Sequence, residues 1–137
     1  MTRALILAAL ALAACGEQAK PQAPALTGDK KAAADVAERY VHAVAAKDWK
    51  TACATRTEAE QKQLARLLGS CEKGFGVMLK GKPVEAFARV KARTVKIANG
   101  VAGVTLVQPG GLARMKLAAV RDHGQWRLKD IPDAQIP

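Results

Sequence analysis

The chain changes its hydrophobic period near the middle. From Asp29 to Lys47 the apolar positions Ala33, Val36, Ala37, Tyr40, Val41, Val44 and Ala45 recur at spacings of three and four. That spacing sets them on one stripe of a helix. Asp29 is placed to cap it, and Asp48 to cap a short helix through Trp49, Ala52 and Cys53. Thr57 and Glu60 stand at capping-box spacing. They predict a third helix that turns Leu64, Leu67 and Leu68 inward and stops at Gly69. A fourth short helix runs from Cys71 through Phe75, Val77, Met78 and Leu79, and Gly81-Lys82-Pro83 ends the helical half.

Alternation then takes over. Val84, Ala86, Ala88, Val90 and Ala92 alternate with Glu85, Phe87, Arg89, Lys91 and Arg93, which predicts a half-buried strand. Past Thr94 the apolar positions become Val95 and Ile97. The phase has slipped by one, as a bulge near Arg93–Thr94 would require. Asn99-Gly100 predicts a two-residue hairpin turn that pairs Ala98 with Val101, Ile97 with Ala102 and Val95 with Val104. Pro109-Gly110-Gly111 and Asp122-His123-Gly124 mark two further turns. Between them Ala113, Met115, Leu117 and Ala119 alternate with Arg114, Lys116 and Ala118, and beyond them Trp126 and Leu128 alternate with Gln125, Arg127 and Lys129. The expected fold is α+β: N-terminal helices packed on a curved four-stranded antiparallel sheet.

The amino end has a different character. Arg3 precedes an unbroken apolar run, Ala4–Ala14, which as a helix would span about 17 Å against the roughly 30 Å of a bilayer core. Its size and charge order are those of a secretory signal. The run ends on Leu12-Ala13-Ala14-Cys15, which resembles the lipobox of bacterial lipoproteins. The resemblance implies removal of residues 1–14, acylation of the Cys15 thiol, and a domain held outside the cytoplasm on the cell membrane or outer membrane. Gly16 leaves no aspartate at the position that retains some Gram-negative lipoproteins at the inner membrane. Residues 15–28 carry prolines and small residues without an apolar period and read as a flexible tether. Residues 29–137 then suit one domain.

Of three cysteines, a lipidated Cys15 leaves Cys53 and Cys71. In an oxidising compartment they form a disulfide or stay as two buried thiols. Closing a loop of roughly 18 residues would stabilise the domain by about 3 kcal/mol, and the bridge is the expectation carried forward. No histidine lies close enough to complete a zinc site with them.

The order of elements, the bent first strand and the closing Gly124–Ile131 stretch, GQWRLKDI, look like the nuclear transport factor 2-like superfamily, the cystatin-like cone. Tyr40–Cys53, YVHAVAAKDWKTAC, is similar to the first-helix region of its exported members, in which the cysteine pairs with a later one. Enzymes of that superfamily use aspartate and histidine dyads inside the cone. Here the supply is thin. His42 falls beside Glu38 and Arg39 on the polar side of its helix, His123 sits in a turn, Asp48 reads as a cap and Asp130 as a strand-end residue. No glycine-rich phosphate loop, Gly-x-Ser-x-Gly or metal spacing is present, and no motif calls for a cofactor. A pocket lined by Tyr40 and Trp126 is the candidate ligand site.

Charge is the remaining handle. Lys and Arg total 22 against 12 Asp and Glu, for a formal +10. The strand period sends Arg89, Lys91 and Arg93 of the first strand, Arg114 and Lys116 of the third, and Arg127 and Lys129 of the fourth to the sheet's outer face. For an exported domain without a binding motif, nucleic acid is not an expected partner. Anionic lipid, an envelope polymer or an acidic protein is. The expected function is thus a membrane-anchored lipoprotein with a small non-catalytic binding domain. The alternative is a small-molecule-binding or enzymatic cone with a polar pocket.

Overall fold

The computed structural model describes residues 25–111 and 113–137. The predicted signal segment, Cys15 and most of the tether lie outside the described residues. Four helices come first: α1 (Gly28–Ala45), α2 (Trp49–Ala54), α3 (Glu58–Leu68) and α4 (Cys71–Met78). Four strands follow as an antiparallel meander in the order β1-β2-β3-β4: β1 (Lys91–Ala98), β2 (Val101–Val107), β3 (Arg114–Asp122) and β4 (Gln125–Lys129).

The apolar stripe of α1 determines the packing. Ala33, Val36, Ala37 and Val41 meet Val95, Val104, Leu106, Ala119 and Leu128 on the inner face of the sheet. Leu106 and Leu128 are all but fully enclosed, and each such side chain contributes about 1.5–3 kcal/mol. The other end of α1, through Ala43 and Val44, shares a second cluster with Cys53, Cys71, Phe75 and Val84. A Cys53–Cys71 disulfide, with Cα atoms 6.0 Å apart, ties α2 to the first turn of α4. Asp48 caps α2 by accepting from Thr51 N at 3.1 Å.

The hairpin register is the expected one. Ala98 pairs with Val101, Ile97 with Ala102 and Val95 with Val104, and a bulge interrupts the ladder between Ala92 and Thr94. Asn99 (φ 51°) and Gly100 (φ 75°) both take the left-handed conformation that a two-residue turn matched to strand twist demands.

Several expectations fail, each for a physical reason. Val84–Arg89 is a 3-10 helix, and the first strand begins only at Lys91. Val84 and Val90 are each 2% exposed, with half-buried Phe87 between them. That spacing of three suits a 3-10 helix, in which i and i+3 eclipse. The exposed alanines at 86 and 88 had imitated alternation. Helix α3 buries no residue at all. Leu67 is 70% exposed, because α3 packs along α4 at the rim and not under the core. The cap of α1 falls at Thr27 rather than Asp29, and α1 ends at Ala45 rather than Lys47. Asp29, in the first turn, pairs with Arg121 on β3. Thr57 does occupy the cap position of α3, but its hydroxyl bonds the Glu60 carboxylate at 3.1 Å instead of a backbone N–H.

Two backbone contacts complete the sheet. Leu128 N donates to Thr55 O at 2.8 Å and Thr57 N donates to Leu128 O at 3.0 Å, so residues 55–57 lie along the outer edge of β4 as a short parallel bridge. After β4 the chain turns at Asp133–Gln135 and lays Ile136 and Pro137 over Gly103 of β2. A Cβ on Gly103 would collide with Pro137 O and the Ile136 side chain; only glycine admits the tail that close. Ala118, the β3 partner of Gly103, is buried on this outer face.

Candidate functional site

The basic residues do not form one open face. The tail crosses its middle, and the cations distribute around it. Register places Thr94 opposite Thr105 and Thr105 opposite Lys116, while Lys96 faces Gly103 and Arg114 faces Val107. Together with the tail these residues outline a groove of about 720 Å³, in which Lys96, Arg114 and Lys116 stand beside two threonine hydroxyls, opposed by Asp133. Lys96 had not been expected here. It reaches the groove because the bulge shifts the ladder by one residue.

The other expected cations go elsewhere. Arg89 ends the 3-10 helix and is not on the sheet. Arg93 is the bulge residue. Lys91 reaches Glu38 of α1 at 3.4 Å. Arg127 bonds Gln125 at 2.9 Å and lines a separate cleft with Arg121 and Trp126. Lys129 pairs with Ala118 on the far edge strand β4 and lines the cleft that holds Arg56.

Tyr40 and Trp126 do not share a pocket. The Trp126 ring is buried beneath the Arg121 guanidinium, 4.9 Å from its centroid, with its N–H toward Asp29 at 3.4 Å. Tyr40 lies on the far side of α1, edge-on to Phe75 at 6.0 Å and 5.7 Å below the guanidinium of Arg56. Burial raises the Tyr40 pKa above its ordinary value, with nearby Arg56 opposing the shift.

Arg56 was not singled out by the sequence. It stands between Thr55 and Thr57 where α2 gives way to α3, and the β4 bridge pulls that segment inward. Its side chain is 8% exposed. Nη2 meets Glu60 at 3.2 Å and Asp130 at 2.6 Å. Asp130 is thus the partner of a buried arginine and not a bare strand-end group. Glu60 in turn accepts from Asp130 N at 2.6 Å. These groups open onto a cleft of about 470 Å³ whose other wall is Tyr40, Phe75, Leu64, Leu67 and Met78.

The histidines separate. His42 is not simply solvated: half-buried, it donates from Nε2 to Val90 O at 2.9 Å and ties α1 to the start of β1. His123 is exposed and bonds Glu58 at 2.7 Å. Glu58 also receives Lys62, and these two donors, Lys62 foremost, hold its pKa below the usual carboxylate value. No acid–base pair forms between either histidine and Asp48 or Asp130. Among the described residues no group of three or more His, Cys, Asp or Glu is placed to hold a metal, and no helix is long and apolar enough to cross a membrane.

Comparison of the chain with protein-family models, with curated proteins and with solved structures finds no match in any of the three.

Proposed function

We propose that this chain is an exported bacterial lipoprotein, anchored through an acylated Cys15, whose nuclear transport factor 2-like domain is a binding module for anionic surfaces and not an enzyme. The observation that carries the reading is the groove. Three cations and two hydroxyls converge there on the outer sheet face, while α1 fills the inner face. The superfamily assignment draws support from the succession of helices, bent first strand and meander. The anchor draws its support from Leu12–Cys15. Anionic phospholipid headgroups are the ligand surface this reading favours. A tethered domain stays within reach of them, and lysine and arginine near such a surface each contribute about 1 kcal/mol.

The test uses a form starting at residue 25 and vesicle flotation. Binding to anionic vesicles is expected, with little to neutral ones, and it should fade with salt. Changing Lys96, Arg114 and Lys116 together to Glu should cost at least about 3 kcal/mol, a hundredfold or more in affinity. Equal binding to both vesicle types, or indifference to the triple change, would sink the reading. Retention on an anionic envelope polymer with none on vesicles would replace the lipid by the polymer.

A further inference from the structure

The groove leaves Arg56 unexplained. A guanidinium shielded from water needs acceptors for its N–H groups. Arg56 Nε is buried and has no partner, although Nη2 beside it meets two carboxylates. Leaving such a donor unpaired is unfavourable, so the position favours an acceptor. The Nε and Nη2 edge of an arginine is the edge that takes a carboxylate by two parallel hydrogen bonds. Here that edge is half used.

The two carboxylates differ in how firmly they are held. Glu60 is fixed by Thr57 Oγ1, Asp130 N and Arg56 together. Asp130 is 88% exposed and touches only Nη2. It can swing into water and free the edge. Directly beyond lies the cleft with its apolar wall, where Leu67 and Met78 are 70% and 45% exposed and belong to neither core cluster. Its volume of about 470 Å³ is within the range of small-molecule sites.

We propose that this cleft is a second binding site, for an amphiphile with a carboxylate head and an unbranched apolar tail. The head displaces Asp130 and pairs with Arg56 through Nε and Nη2. The tail lies along Leu64, Leu67 and Met78. Charge balance is kept, because one carboxylate replaces another on the same guanidinium. The site is independent of the basic groove.

The probe is octanoate, with octanol and octylammonium as controls, added to the full-length chain carrying Cys15→Ser so that no acyl group is attached. Methyl resonances of Leu67 and Met78 and the Arg56 Nε–H resonance report binding at the cleft itself. Octanoate should shift all three and bind at least about tenfold more tightly than octanol, the worth of a charge-assisted pair. Octylammonium should bind more weakly than either. Asp130→Asn removes the competing anion and should tighten octanoate by about threefold or more. Leu67→Glu, at a position outside the core, should abolish the shifts of the two reporters that remain, the Met78 methyl and the Arg56 Nε–H, without unfolding the chain. The proposal falls if octanol binds as well as octanoate. It falls equally if Asp130→Asn weakens octanoate, or if Leu67→Glu leaves its binding unchanged.

Discussion

At the scale of single residues, the least legible groups are those whose burial depends on distant partners. Arg56 sits between two threonines in a sequence that reads as an exposed helix junction. Only the bridge to Leu128 buries it, and that contact joins positions far apart in the chain. Lys96 is hidden differently: alternation alone does not give its face, which depends on the bulge between Ala92 and Thr94 that sets it opposite Gly103. Gly103 did carry a signal, since a lone glycine inside a strand often marks a close backbone approach. Tyr40 offers a direct check on the cleft. It is the chain's one tyrosine, so absorbance at the phenolate band follows it alone. Its midpoint should lie above the ordinary 10.0 in the folded protein and return to it in denaturant. Below that ordinary value both states hold the proton and Tyr40's contribution to stability is complete. As pH rises further, the unfolded chain ionises first and stability falls until the raised folded value is passed. A folded midpoint at or below the ordinary value would show that burial does not outweigh the Arg56 guanidinium at this ring.

At the scale of elements, α1, the Asn99-Gly100 hairpin and the meander could be read from the chain because their signals are local. In α1 and the meander, apolar residues that include β-branched or aromatic side chains recur at a clear period, and the turn residues have specific conformational demands. Val84–Arg89 was misread because alanine fits a helix or a strand without declaring a face. Helix α3 follows its leucine spacing only in part: Leu64 packs on the second core cluster and Leu68 lies against Gly74 of α4, while Leu67 turns to the open rim. That helix depends on its ends. Glu58 N bonds Asp122 at 2.8 Å at its start, and beyond its end the disulfide holds Cys71 and with it α4. Replacing Cys53 and Cys71 by serine should therefore cost about 2–4 kcal/mol in urea unfolding. Limited proteolysis of this variant should cut first within α3 and leave the β1–β4 fragment intact. First cleavage in the sheet, with α3 still protected, would show that α3 is held by something other than the bridge.

At the scale of the whole molecule, the proposed anchor and the two candidate sites act through different parts of the chain. Under the proposals above, lipid attachment at Cys15 would fix location, the outer groove would meet charge, and the Arg56 cleft would take an amphiphile. Intact mass of the protein purified from bacterial membranes should begin at Cys15 with acyl groups added. A mature chain that starts elsewhere and carries no acyl group would remove the anchor while leaving both sites to stand on their own tests. The residues lying along β4 have one more consequence. An open strand edge is a template on which another chain can add a strand. Residues 55–57 occupy that edge of β4. On β1, the other margin, Glu38 takes Ala92 N at 2.8 Å, and the bulge and lysines break the rest of the run. Copies confined to two dimensions meet far more often than copies in free solution. With both margins guarded, copies held on a membrane by the proposed anchor would crowd there without zipping into a continuous sheet.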